Sequence, residues 1–347
     1  MTANTSANAS ATRLLVLGGT EFVGRATAEA GLARGWDVTV LNRGTKPAPE
    51  GVRALVGDRT APGGLAALEG GEWDLVVDTW PRGPRAVRDA AEALKERAGR
   101  YVYVSTCSVY TWPRPAGTGT EAPLVEGDPD AEERDYPRDK RSAELAVARA
   151  FGEDRALFAR AGLILGPHEN IGRLPWWLLR MRRGGEVLAP GPRELPLAYI
   201  DARDLAAWLL DAGTAGRSGA FDLVSPSGHT TMGEFLETCR AVTGSDAVLR
   251  WATPEQVEAA GIAPWTELPV WCPPGEMHGA MHTADVTATL EAGLRCRPVA
   301  ETVADTWAWL SGEAGGTLPP WTNPKAAVGL DAEKEAAALA ALGEREG

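Results

Sequence analysis

Within the segment DYPRDKRSAELAVARAF, Tyr136 and Lys140 stand four positions apart. In a helix that spacing places both side chains on one face. A tyrosine ordinarily titrates at about 10 and is a poor acid or base at neutral pH until its phenolate is stabilised. An ammonium about 4 Å away attracts a phenolate by roughly 4 kcal/mol at an effective dielectric of 20, equivalent to a few pKa units before desolvation opposes it. The phenol then becomes a usable proton donor and acceptor. A hydroxyl that holds the substrate oxygen would complete the set, and YVYVSTCSVY offers Ser105, Thr106 and Ser108. Alone, the Tyr-x-x-x-Lys spacing also suits the start of an ordinary surface helix, so the surrounding elements must decide.

Those elements alternate. LLVLG (14–18), DVTVLN (37–42), VRALVGD (52–58), DLVVDT (74–79), YVYVST (101–106) and RALFARA (155–161) read as strands, and the runs 23–34, 83–97 and 138–150 have helical spacing. This pattern predicts an α/β fold, a doubly wound parallel sheet with helices on both faces and ligands at the carboxyl ends of the strands. The first strand runs into LLVLGGTEFVG, a glycine turn of the kind that lets a backbone approach a pyrophosphate at a helix N-terminus. Gly18 and Gly24 fit the dinucleotide spacing, while Glu21 stands where a middle glycine is usual. Its carboxylate is expected to point outward, capping the helix or pairing with an arginine. The segment 111–135 reads as a long loop, either a lid or a disordered insertion. Later helical runs fall near 203–213, 231–243 and 283–292, with a terminal helix at 329–342.

Composition narrows the function. With 47 acidic and 35 basic residues the net charge is −12, a field that repels polyanions and argues against nucleic acid. No apolar run approaches the ~20 residues that span a bilayer, and MTANTSANASATR reads as a disordered tail, so a cytoplasmic protein without membrane contact is expected. Cys107, Cys239, Cys272 and Cys296 lack metal-ligand or disulfide spacing and read as buried small hydrophobes. Trp112, Trp176, Trp177, Trp265 and Trp271, among 13 tryptophans, permit an aromatic-walled pocket.

Glycine turn, hydroxyl cluster and Tyr-x-x-x-Lys occur here in one order and at suitable separations. In this the chain resembles the extended and atypical short-chain dehydrogenase/reductase superfamily, in particular its NAD-dependent epimerase/dehydratase branch, over about residues 13 to 310. VGD (56–58), RAGLILGP (160–167) and YIDARDLAAWLL (199–210) add to the likeness. The resemblance implies a Rossmann-type domain over 13–165, a smaller substrate-binding lobe with returning Rossmann elements over 166–328, a disordered 1–12 and a C-terminal helix over 329–347. It implies Thr106, Tyr136 and Lys140 as the reacting set, with Lys140 also on the nicotinamide ribose. The cofactor would lie on Gly18, Gly19, Thr20, Phe22, Val23, Asn42, Arg43 and Asp58, the last at the adenine. The substrate would meet Trp80, Ser108, Trp112, Ala161, Gly162 and Trp176, and no metal is involved.

Cofactor choice follows LNRG (41–44): Asn42 replaces the acid that grips the ribose hydroxyls in NAD enzymes, and Arg43 suits a 2′-phosphate, so NADP(H) is preferred and NAD(H) possible. Leu197 occupies the place of an arginine that meets the diphosphate in sugar-nucleotide epimerases. The reading is thus an NADP(H)-dependent reductase of a small, uncharged, possibly aromatic carbonyl, alcohol or imine compound, acting as a monomer or homodimer. Its alternatives are a nucleotide-sugar epimerase or dehydratase with bound NAD, and a dinucleotide-sensing or RNA-associated binding protein.

Overall fold

The computed structural model describes residues 11–318 and 328–346, so the expected N-terminal tail lies outside the described residues over 1–10. Its elements run β1 (Arg13–Leu17), α1 (Phe22–Ala33), β2 (Asp37–Asn42), β3 (Arg53–Val56), β4 (Trp73–Asp78), α2 (Arg85–Leu94), β5 (Ala98–Thr106), α3 (Tyr136–Phe151), β6 (Ala156–Ala161), β7 (Ile164–Leu165), α4 (Arg173–Arg182), β8 (Glu186–Pro190), β9 (Pro196–Leu197) and β10 (Ile200–Asp201). There follow α5 (Ala202–Thr214), β11 (Gly219–Leu223), β12 (Thr230–Thr231), α6 (Met232–Val242), β13 (Val248–Ala252), α7 (Pro254–Ala259), α8 (Glu276–His282), α9 (Thr287–Glu291), α10 (Val299–Ser311) and α11 (Ala332–Glu346).

The central sheet has seven strands in the order β11-β6-β5-β4-β1-β2-β3. Its pairings β2–β3, β1–β2, β1–β4 and β4–β5 are parallel, the doubly wound α/β arrangement the alternation predicts. The chain winds outward from β1 in both directions, so a crevice opens past the carboxyl ends of β1 and β4. Strands buried on both faces read as continuous apolar runs, which is why LLVL and LVV were legible.

Two compact units divide the chain. In the first (1–104, 127–158 and 209–219), α2 and α3 cover one face of the sheet. Val87, Ala90 and Leu94 of α2 and Ala143 and Val147 of α3 join Leu15, Val76 and Tyr101 in one core. Gly31 lets α1 close on the strands: a Cβ there would sit 2.7 Å from Leu14 and 2.9 Å from Val38. The second unit (105–126, 159–208 and 220–347) has its own core, where α4, α6 and α10 bury Trp177, Phe235 and Val303. Within it the β8–β13 ribbon meets α11, whose buried Glu335 accepts the Leu188 N–H at 3.1 Å and pairs with Arg180 of α4 at 2.6 Å.

Some expectations change. The helical run expected near 283–292 shortens to α9 at Thr287–Glu291, because Asp285 accepts the Thr287 N–H at 2.9 Å while its own N–H goes to the Thr118 carbonyl at 3.0 Å. Cys239 and Cys272 are buried, but Cys107 and Cys296 are only half-buried, and the Cys107 thiol donates to the Arg160 carbonyl at 3.2 Å. Among the described residues no helix is long and apolar enough to cross a membrane, and no cluster of three His, Cys, Asp or Glu is placed to hold a metal.

Candidate active site

In the first unit β1 ends in a turn that only glycine fits. Gly18 and Gly19 have φ of 122° and 88°, and a Cβ on them would lie 2.5 Å from Thr79 Oγ1 and 2.6 Å from Val40 Cγ1. Gly24 brings α1 onto the turn, since a Cβ there would be 2.6 Å from the Gly19 nitrogen. The helix then starts at Phe22, itself at φ 39°, and presents the unpaired N–H groups of its first turn to the crevice. A bare backbone cradle at a helix N-terminus is the form that accepts the diphosphate of a dinucleotide. Glu21 is extended and makes no side-chain cap. Nor does it pair with an arginine: its carboxylate takes the Lys46 ammonium, which offsets the negative charge beside the turn.

Farther along this edge, Asn42 Oδ1 accepts the Gly44 N–H at 2.7 Å and shapes the turn in which Arg43 is exposed. Asp58 accepts both the N–H and the hydroxyl of Thr60, at 2.9 and 2.7 Å. These bonds hold its pKa below the usual carboxylate range.

Tyr136 and Lys140 open α3, whose N-cap Asp135 accepts the Arg138 N–H at 3.0 Å. Their exposures differ sharply. Tyr136 is 48% exposed and Lys140 3%. The Lys140 ammonium donates to the carbonyls of Val104 at 2.6 Å and Trp80 at 2.9 Å and lies 4.2 Å from the Tyr103 ring centre. Burial pushes its pKa down to about 7. Trp80, expected at the substrate, is half-buried; its indole donates to the Gly83 carbonyl at 3.1 Å and its ring lies under the Arg59 guanidinium at 5.2 Å.

Sequence reading missed the pair beside it. Asp78, at the end of β4, is fully buried and accepts both terminal nitrogens of Arg59 at 2.7 and 2.6 Å, the Tyr101 hydroxyl at 2.5 Å and the Trp80 N–H at 3.0 Å. The one available signal was an aspartate closing an otherwise apolar strand.

In the second unit Thr106 closes β5 and caps the short turn Cys107–Val109. Its hydroxyl accepts the Ser108 N–H at 3.1 Å and lies 3.2 Å from the Ser108 hydroxyl. The two hydroxyls therefore form one hydrogen-bonded pair. Behind them Tyr110 donates to Asp222 at 2.5 Å, Arg114 donates to the other Asp222 oxygen at 2.7 Å, and Arg160 donates to the Tyr110 hydroxyl at 3.2 Å. Burial pushes both the Tyr110 phenol and the Asp222 carboxyl above their usual ranges.

That cluster pins the expected loop. Arg114 is 3% exposed, and Thr111 and Val125 add backbone bonds to Pro123 and Val109 at 2.7 and 2.8 Å. Trp112 remains exposed, its indole directed at Met277 sulfur at 3.2 Å. The other expected substrate residues pack inward: Ala161 is buried, Gly162 donates to the Leu223 carbonyl at 3.1 Å, and Trp176 lies edge-on to Trp177 at 4.6 Å in the core.

No curated protein matches the chain. Solved structures share its fold at low identity. A putative epimerase from Burkholderia cenocepacia is 19% identical with a TM-score of 0.66, covering 87% of this chain and 99% of its own. WbmG of Bordetella bronchiseptica, solved in complex with NAD and UDP, is 18% identical with a TM-score of 0.65, covering 90% and 99%. WbmH of the same organism, in complex with NAD+, is 16% identical with a TM-score of 0.63, covering 87% and 98%. The family model described as the NAD dependent epimerase/dehydratase family matches residues 14–222, a span that includes the glycine turn, Thr106 and the Tyr136–Lys140 helix start. The chain is therefore a member of the NAD-dependent epimerase/dehydratase family, a dinucleotide-using enzyme of the extended short-chain dehydrogenase/reductase type.

Proposed function

We propose that this enzyme carries out an NAD-linked oxidation and reduction at a carbinol carbon of a nucleotide sugar, in the manner of epimerases and dehydratases. The family match over 14–222 carries the reading. It reverses the ranking expected from sequence, in which a reductase of an uncharged compound stood first. The bound nicotinamide would supply a hydride acceptor and donor. Tyr136, exposed at the start of α3, takes the proton of the carbinol hydroxyl and gives it back on reduction. Lys140, on the same helix, holds the ribose and favours the phenolate, and the Thr106–Ser108 pair remains the hydroxyl candidate that the family resemblance names.

Substrate class is supported by the structural relatives, one of them solved in complex with NAD and UDP and another a UDP-galactose 4-epimerase. Leu197 is fully buried in β9 and offers a diphosphate nothing. Arg193, exposed and paired with Glu237 at 3.3 Å, and Arg173, over the Trp265 ring at 5.2 Å, are candidate cations for that task.

A second reading, an NADP(H)-dependent reductase, is favoured by the end of β2, where no carboxylate stands and Arg43 is exposed. One comparison separates the two. Calorimetry with UDP-glucose and TDP-glucose should give micromolar binding, and acid-denatured protein should release NAD. Absence of both, together with NADPH oxidation by aromatic ketones, would replace the epimerase reading with the reductase.

A further inference from the structure

The Lys140 ammonium donates to two backbone carbonyls, of Val104 and Trp80. Val104 is fixed inside β5, but Trp80 lies beyond the end of β4, where no strand pairing holds its peptide. Its N–H is held by Asp78, whose carboxylate accepts it at 3.0 Å, while its carbonyl receives Lys140 at 2.9 Å and the Tyr103 hydroxyl at 3.3 Å. Asp78 is in turn clamped by Arg59 through two parallel bonds, and Arg59 also donates to the Ala86 carbonyl at 2.9 Å and lies over the Trp80 ring. The guanidinium thus fixes the same residue through its carboxylate and its indole.

Resting on the reading of Lys140 as part of the reacting set, we propose that Asp78 and Arg59 are positioning residues that fix the Trp80 peptide as the seat of the Lys140 ammonium. A buried ion pair is a poor source of stability compared with well-packed apolar side chains, but it is a good way to hold one geometry. Here it holds a carbonyl. A protonated lysine in a buried site needs its acceptors in place, since each hydrogen bond to the charged form favours that form against desolvation. The charged and titratable groups around the ammonium are Asp78 from β4, Arg59 from the segment after β3, Glu144 from α3 and Tyr103 from β5, the last itself facing Tyr136.

The test uses the full chain with 13C-labelled lysine, following the Lys140 Cε resonance through a pH titration, together with NADH affinity by fluorescence at pH 6.5 and 8. The double variant Arg59→Met/Asp78→Leu removes both charges and the acceptor for the Trp80 N–H, without stranding a buried charge. Lys140 should titrate at least one pH unit lower in it, and NADH should bind about tenfold more weakly. Arg59→Met/Asp78→Asn keeps an acceptor for the Trp80 N–H and should restore both readouts to near the unmodified values. An unchanged Lys140 titration in the first variant, or equal effects in the two variants, would overturn the proposal. A moved titration with unchanged NADH affinity would uphold the seat and refute the placing of Lys140 at the cofactor.

Discussion

Tyr136 and Lys140 are one helical turn apart, yet Tyr136 is 48% exposed and Lys140 3% exposed, its ammonium anchored on the carbonyls of Val104 and Trp80. The two groups that chemistry would pair differ in their surroundings: Tyr136 stands half open at the helix start, and the amine is seated on the sheet beneath it.

Replacing Tyr136 with Phe keeps the ring and deletes the proton donor. Turnover should fall by about 10²- to 10⁴-fold, the worth of one positioned general acid, while NADH affinity stays within twofold. Turnover at the unmodified rate would assign the proton to another group, with Asp135 the nearest candidate.

Lys140 makes stability depend on pH. Its pKa is about 7 in the fold against about 10.5 when unfolded, so between these values the unfolded chain binds more protons. Stability contributed by this group therefore rises with pH over that window, by at most about 1.4 kcal/mol per pH unit. Urea unfolding at pH 7 and 9 should show the unmodified protein gaining on Lys140→Met as pH rises. Parallel profiles would mean that the ammonium titrates like an exposed lysine.

Asp222 carries the buried cluster of the second unit. Asp222→Ala leaves Arg114 buried and uncompensated and the Tyr110 hydroxyl without its acceptor, which should cost about 3–5 kcal/mol in denaturant unfolding. Protease cleavage within 111–126 should appear with it, because Arg114 pins that segment. Arg114→Met/Asp222→Leu should lose less stability than Asp222→Ala alone. A larger loss in the double variant would show that the ion pair stabilises beyond its own desolvation.

Lys46 offsets Glu21 at the glycine turn. Lys46→Ala should weaken NAD binding several-fold by leaving a carboxylate uncompensated beside a pyrophosphate, and Glu21→Gln should restore it in the same background. Arg43→Ala tests the neighbouring position separately: any preference for NADPH over NADH in matched titrations should vanish. Binding of both cofactors unaltered by all three changes would move the diphosphate away from this turn.

Local pattern determined much of this protein. The apolar runs ending at Leu17, Asn42, Asp78 and Thr106 became strands because a strand buried on both faces must be continuously apolar. Gly18 and Gly24 were legible because a positive φ at Gly18 and contacts of under 3 Å at both leave no alternative residue. The Tyr136–Lys140 helix start was legible because helical spacing is local and Asp135 caps it. What the tertiary structure decided were relations between distant segments. That Lys140 is buried follows from Trp80 and Val104, which lie 60 and 36 residues away. That Asp78 is an anchor rather than a surface acid follows from Arg59 and Tyr101. That the 111–126 segment is pinned follows from Asp222, 108 residues beyond Arg114. Ala161 and Trp176 turned inward for the same reason, since periodicity marks which residues are apolar but not which other segment will cover them.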